Sequence, residues 1–148
     1  MKKQIKIQTT QECWSLVENI TYATEPAWYG ATYRDLKCSV CIPKHREKVG
    51  KYPLLIWLCG GGFQVMDKDV WWPQWIEFAR KGVIVASVEY RTNNETCFPD
   101  SLADVKAAIR YFRAHADRYS VDPERIFVGG ESAGGALASL AGVSNGEA

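Results

Sequence analysis

Histidine is scarce in this chain of 148 residues: there are two, His45 and His115, and none comes later. An excess of either charge is also missing. Eighteen basic residues against seventeen acidic ones leave a net charge of +1, which gives no reason to expect a nucleic-acid or membrane partner. No apolar run approaches the length of a membrane span. The residues after the basic Met1-Lys2-Lys3 alternate polar and apolar instead of building the apolar stretch of an export signal. The expected location is therefore cytoplasmic. Internal repeats and low-complexity tracts are absent too, and the length fits one compact domain over residues 1–148.

Cysteine is present in an odd number, as Cys13, Cys38, Cys41, Cys59 and Cys97, which reads as free thiols in a reducing compartment. Cys38 and Cys41 have the C-x-x-C spacing, but they fall in a period-two stretch over residues 36–42 that predicts a strand. Positions three apart on a strand point to opposite faces, so the two sulfurs cannot share a metal or readily form a redox pair. No second C-x-x-C and no nearby histidine completes a zinc site. Neither a metal nor a cofactor is expected.

Three short, continuous apolar runs, residues 53–58, 83–88 and 126–128, read as central strands buried on both faces. Helical patterns separate them. Residues 70–80 gather Trp72, Trp75, Ile76 and Ala79 on one side, and residues 99–119 gather Leu102, Val105, Ile109, Phe112 and Ala116. Ser101 and Asp104 have capping-box spacing near the start of the second helix. Asp122-Pro123 marks a turn into the last strand. Ahead of all this, residues 4–8, 19–23 and 36–42 are candidate antiparallel strands, with a weak helical turn over 11–17. Strands alternating with helices predict an α/β fold: a mostly parallel sheet with antiparallel amino-terminal strands and helices on both faces.

Chemistry concentrates at the end of the third run. Gly130-Glu131-Ser132-Ala133-Gly134 lies between a strand and an Ala-rich helix start, the setting of a nucleophile elbow, in which serine sits on a turn too sharp for neighbouring side chains. A second loop, Gly60-Gly61-Gly62, leaves the carboxyl end of the first central run. Both loops therefore open on one edge of the sheet, where α/β proteins bind ligands. Attack of a serine on an ester makes an oxyanion that requires preorganised N–H donors. A glycine loop and the N–H of Ala133 at a helix start are complementary halves of such a site.

With Val88-Glu89-Tyr90-Arg91, residues 98–105 and residues 122–126 in the same order, these motifs resemble the amino-terminal portion of an α/β-hydrolase of the hormone-sensitive-lipase type, close to bacterial acetyl and feruloyl (carbohydrate) esterases. The resemblance covers roughly residues 20–145. It implies that Ser132 is the nucleophile, that Gly61, Gly62 and Ala133 hold the oxyanion, and that small acyl or aryl esters, on carbohydrate among others, are hydrolysed without a metal. Two departures stand out. Cys59 replaces the histidine usual before the glycines. The acid and histidine that follow the serine in this fold are missing, so residues 1–148 make a single incomplete domain. His45 in a charged loop and His115 well down a helix are misplaced for a base. The strand before Ser132 would be an open sheet edge that invites self-association.

Two other classes compete: a catalytically inactive remnant that binds esters without turnover, and a thiol-based redox or metal module. Trp71, Trp72 and Trp75 read as helix packing before they read as a platform for sugar or aryl groups. Glu131 is expected to bond locally, Asp104 to serve as a helix cap or surface charge, and Tyr90-Arg91 to brace the loops.

Overall fold

The computed structural model describes residues 13–44 and 50–144. A long hairpin comes first, β1 (Cys13–Ala27) and β2 (Thr32–Lys44). Then follow β3 (Tyr52–Leu58), α1 (Trp72–Arg80), β4 (Ile84–Val88), α2 (Asp100–Ala114), α3 (Ala116–Tyr119), β5 (Val121–Gly130) and α4 (Ser132–Val143). The strands form one mixed sheet in the order β1-β2-β4-β3-β5. β3 lies between β4 and β5 and is parallel to both, whereas β2 is antiparallel to β1 and to β4.

Strand alternation explains the layers. Leu54, Ile56 and Leu58 of β3 turn to one face, where they meet Val105, Ala108 and Phe112 of α2 and Leu137 of α4. Leu55 and Trp57 turn to the other face, toward Trp75 and Ala79 of α1. β4 is buried along its whole length, as a continuous apolar run demands. Helices therefore cover both faces. Cys38 belongs to the first core and Cys41 to the second, as period two requires, and both are free thiols.

Several local expectations are corrected. The strand expected at 4–8 lies outside the described residues, as does His45. The helical turn expected over 11–17 is strand from Cys13 onward, because Trp14, Ser15, Leu16 and Val17 pair with Pro43, Ile42, Cys41 and Val40. Cross-strand pairing overrides a weak local signal. The 99–119 helix breaks at His115 into α2 and α3. The capping box does not form: Pro99 is the N-cap of α2, with no side-chain cap. Asp122-Pro123 lies inside β5, where the register with β3 slips between Tyr52 and Leu54. It keeps a turn-like bond, Glu124 N–H to Asp122 Oδ1 at 3.1 Å.

Among the described residues, β5 closes the sheet order with a neighbour on one side only. Phe127 on its α1-side face is 57% exposed. No helix among the described residues is long and apolar enough to cross a membrane.

Candidate active site

β5 runs straight into α4, and Ser132 sits at the corner with φ 49°. Left-handed backbone is rare for a non-glycine residue and holds only where its surroundings enforce it. The enforcing contacts come from β3. A Cβ on Gly130 would lie 2.6 Å from the Leu58 carbonyl oxygen, and one on Gly134 would lie 2.1 Å from the same atom. The Glu131 N–H donates to that oxygen at 3.2 Å. Glycine at both positions lets the elbow press against the end of β3.

The glycine loop leaves β3 at the same point. A Cβ on Gly60 would meet the Ser132 Cβ at 3.0 Å and the Glu131 carbonyl oxygen at 3.1 Å. The two motifs are thus in contact, although distant in sequence. Gly61 has φ +145°, and a Cβ there would fall 2.0 Å from the Val65 carbonyl oxygen. The Gly61 carbonyl in turn accepts from the Gln64 and Val65 N–H groups at 3.0 and 3.2 Å, folding the loop back on itself. Gly62 is also left-handed, at φ +63°, with open space around it. Ala133 is buried in the first turn of α4, where backbone N–H groups have no intrahelical acceptor.

Cys59 is buried, and its Sγ lies 3.8 Å from Ser87 Oγ. Burial pushes its thiol pKa up against the weaker effect of that contact, so Cys59 is a poor nucleophile. Its carbonyl accepts from the Tyr90 hydroxyl at 2.7 Å, which anchors the start of the glycine loop to the end of β4. Burial raises that phenol to about 12, so it remains a donor. Arg91 and Asp104, expected to be a loop brace and a surface charge, form one buried pair. Arg91 Nη2 reaches Asp104 Oδ1 at 2.7 Å, the Arg91 N–H reaches Oδ2 at 2.9 Å, and Asp104 is 1% exposed. Asp104 serves the fold as an internal counterion and not as a cap.

One link was not legible as such in the sequence: Trp71 Nε1 donates to Glu131 Oε1 at 2.7 Å. It joins the segment before α1 to the elbow. Trp75 is buried and packs edge-on against Trp72, with centroids 4.4 Å apart, so these two tryptophans are packing residues. His115 is exposed, stacked on Tyr111, with Nδ1 2.8 Å from the Tyr111 carbonyl oxygen. α2 begins after the loop that leaves the carboxyl end of β4 and returns the chain toward the start of β5, so at 1.5 Å per residue its far end, with His115, lies ~20 Å from its start. That geometry separates His115 from Ser132.

The BD-FAE family model matches residues 38–148. The chain is 34% identical over 99 residues to the probable carboxylic ester hydrolase LipM of Mycobacterium tuberculosis, a match covering 66% of this chain and 23% of that protein. It is 33% identical over 127 residues to the arylacetamide deacetylase of Oryctolagus cuniculus, covering 82% and 30%. Among solved structures, a bacterial heroin esterase superposes with a TM-score of 0.72 at 36% identity, over 90% of this chain and 40% of that one. Esterase 2 of Thermogutta terrifontis, phosphoramylated by tabun, gives 0.73 at 30% identity, over 83% and 45%. This chain spans less than half the length of each of these relatives.

Proposed function

Because the chain belongs to the BD-FAE family of α/β-hydrolases, we propose that it carries the nucleophile half of a serine ester hydrolase. Ser132 Oγ attacks the ester carbonyl, the carbonyl π electrons move onto oxygen, and the N–H groups of Gly61, Gly62 and Ala133 receive that charge. Collapse breaks the C–O bond to the alcohol, which leaves with the proton given up by Ser132; water then attacks the acyl-enzyme, releasing the acid and restoring the Ser132 hydroxyl. The observation that carries this reading is the contact of Gly60 with Ser132, because it brings the glycine loop and the elbow to one point. The proton passes through a general base, a role that exposed His115 at the far end of α2 is not placed to fill. Small acyl and aryl esters, on carbohydrate among others, are the substrates, and the names of the deacetylase and heroin esterase relatives support the acyl and aryl part. A cytoplasmic location fits the free thiols of Cys38, Cys41, Cys59 and Cys97.

A second reading has one observation in its favour: no histidine follows Ser132, so the 148 residues alone would bind esters without turnover. A fluorophosphonate probe separates the two. Labelling that disappears in Ser132→Ala marks an activated serine. Failure to label the wild-type chain, with the fold intact by circular dichroism, supports the inactive reading.

A further inference from the structure

Glu131 stands between Gly130 and Ser132, and its side chain does not serve its own helix. It is the N-cap of α4, yet it makes no side-chain cap bond, although the start of a helix favours an acidic group. Its carboxylate turns away instead and accepts from Trp71 Nε1 at 2.7 Å. Trp71 is the N-cap of α1 and likewise caps nothing with its side chain. One bond between an indole N–H and a carboxylate thus joins the starts of two helices. Bonds to an ionised acceptor are stronger than neutral ones.

The same side chain meets the other end of the glycine loop. A Cβ on Gly60 would lie 3.3 Å from Glu131 Cγ and 3.1 Å from the Glu131 carbonyl oxygen. Gly60 follows the end of β3, and Trp71 stands at the start of α1. Both ends of the segment 60–71 therefore rest on Glu131, with Gly61 and Gly62 inside the span. The Glu131 backbone is fixed in turn, its N–H donating to the Leu58 carbonyl at 3.2 Å and its carbonyl accepting from the Gly135 N–H at 3.1 Å. Burial is the main cause of the raised pKa values of Cys59 and Tyr90, and the Glu131 charge adds to both, as a carboxylate beside the root of the loop would.

A second tether holds the middle of the loop to the chain after β4. The Asn93 N–H donates to the Phe63 carbonyl at 2.8 Å, and Asn94 Nδ2 donates to the Gln64 carbonyl at 2.9 Å. Among the described residues no atom packs where a Gly62 Cβ would stand, so the course of the loop there is set by its tethers. Fixing the ends of a loop removes conformational freedom from the residues between them. We propose that Glu131 is a positioning residue: with its carboxylate on Trp71 Nε1 and its Cγ against Gly60, it closes the segment 60–71 and holds the Gly61 and Gly62 N–H groups beside Ser132. What those N–H groups do for an ester rests on the hydrolase reading above, whereas the closure itself can be measured without any ester.

Three single variants of the full chain test this. Glu131→Leu keeps a carbon beside Gly60 and removes the acceptor, Trp71→Phe removes the donor, and Glu131→Gln keeps an acceptor while dropping the charge. Amide hydrogen exchange read by mass spectrometry follows the loop, with α2 as the reference for global unfolding. Exchange over residues 59–66 is expected to rise about tenfold in Glu131→Leu and in Trp71→Phe, the loss of roughly one charge-assisted bond. The double variant should open the loop no further than either single one, and Glu131→Gln should stay within about threefold of wild type. If Glu131→Leu also loses protection in α2, Trp71→Phe tests the same bond from the side away from the elbow. Fluorophosphonate labelling of Ser132 should slow in the same order and recover in Glu131→Gln. The proposal is overturned by unchanged loop exchange in Glu131→Leu and Trp71→Phe, by Glu131→Gln behaving like Glu131→Leu, or by labelling that keeps its wild-type rate after the loop has opened. A wild type that shows the exchange pattern without labelling would favour the inactive reading and uphold the closure; labelling without the exchange pattern would do the reverse.

Discussion

Asp104 holds Arg91 at two places inside the core, accepting from Nη2 at 2.7 Å and from Nε at 3.0 and 3.1 Å on the guanidinium, and from the backbone N–H at 2.9 Å. Arg91 then reaches the Pro26 carbonyl at 2.8 Å, so one carboxylate on α2 ties the loop after β4 to the amino-terminal hairpin. Both partners are almost fully buried. Removing one member of such a pair strands the other's charge. Asp104→Ala should therefore cost about 3–5 kcal/mol in urea unfolding, with the combined Asp104→Leu, Arg91→Met change costing less than the single one.

The elbow and loop glycines separate two kinds of constraint. At Gly134 a Cβ would be driven into backbone, 2.1 Å from the Leu58 carbonyl oxygen, whereas at Gly62 it would meet open space and only the left-handed φ penalises it. Gly134→Ala should fail to give soluble folded protein. Gly62→Ala should fold with a loss of about 1–2 kcal/mol. Comparable soluble yields and unfolding midpoints for the two variants would contradict this picture.

Thiol chemistry should sort the cysteines by depth. Burial pushes Cys38 up to about 12 and Cys41 up to about 11, and it raises Cys59 as well. These thiols stay protonated at pH 8. Exposed Cys13 and Cys97 should react with a disulfide reagent within minutes, and the three buried ones only after urea is added.

Glu95 gives the acid limb of stability a defined sign. Burial works to raise its carboxyl, but the bond from the Thr92 N–H and the Arg34 guanidinium outweigh burial and hold it below its ordinary 4.5. A carboxyl depressed in the folded state stabilises fully above the unfolded value and loses that contribution as pH falls through the folded one. Urea midpoints of the wild type should drop as pH is lowered below about 4.5, and Glu95→Gln should flatten part of that drop. An unchanged slope in the variant would show that the acid limb has another origin.

The open edge at β5 should promote association between copies. Phe127 and the apolar floor of Leu55 and Trp57 beside it offer both backbone pairing and a surface to bury. Sedimentation is expected to show concentration-dependent association that Phe127→Lys reduces. A clean monomer at high concentration would refute it.

The sheet's centre and the elbow could be read from the chain because their signals are local: unbroken apolar runs at β3 and β4, and glycines flanking Ser132. The misreadings share a cause. Asp104 has the spacing of a cap, but its partner Arg91 belongs to another element, and no local rule connects them. Residues 13–17 lack a strong pattern and become strand through pairing with β2. The Trp71–Glu131 bond likewise joins two segments that meet only after β3 and β5 align. Sequence periodicity reports which face a residue takes, but not which distant partner waits there.

That alignment has a dynamic consequence. The Leu58 carbonyl, which shapes the Ser132 turn, belongs to β3, while the serine follows directly on β5, which has a single neighbour among the described strands. Edge elements held from one side open at lower free energy than a sheet's interior. On gentle heating or at low denaturant, β5 should detach before β4 and take the backbone geometry of Ser132 with it. The reactive corner would then vanish while most of the molecule still looks native, making it an early reporter of partial unfolding.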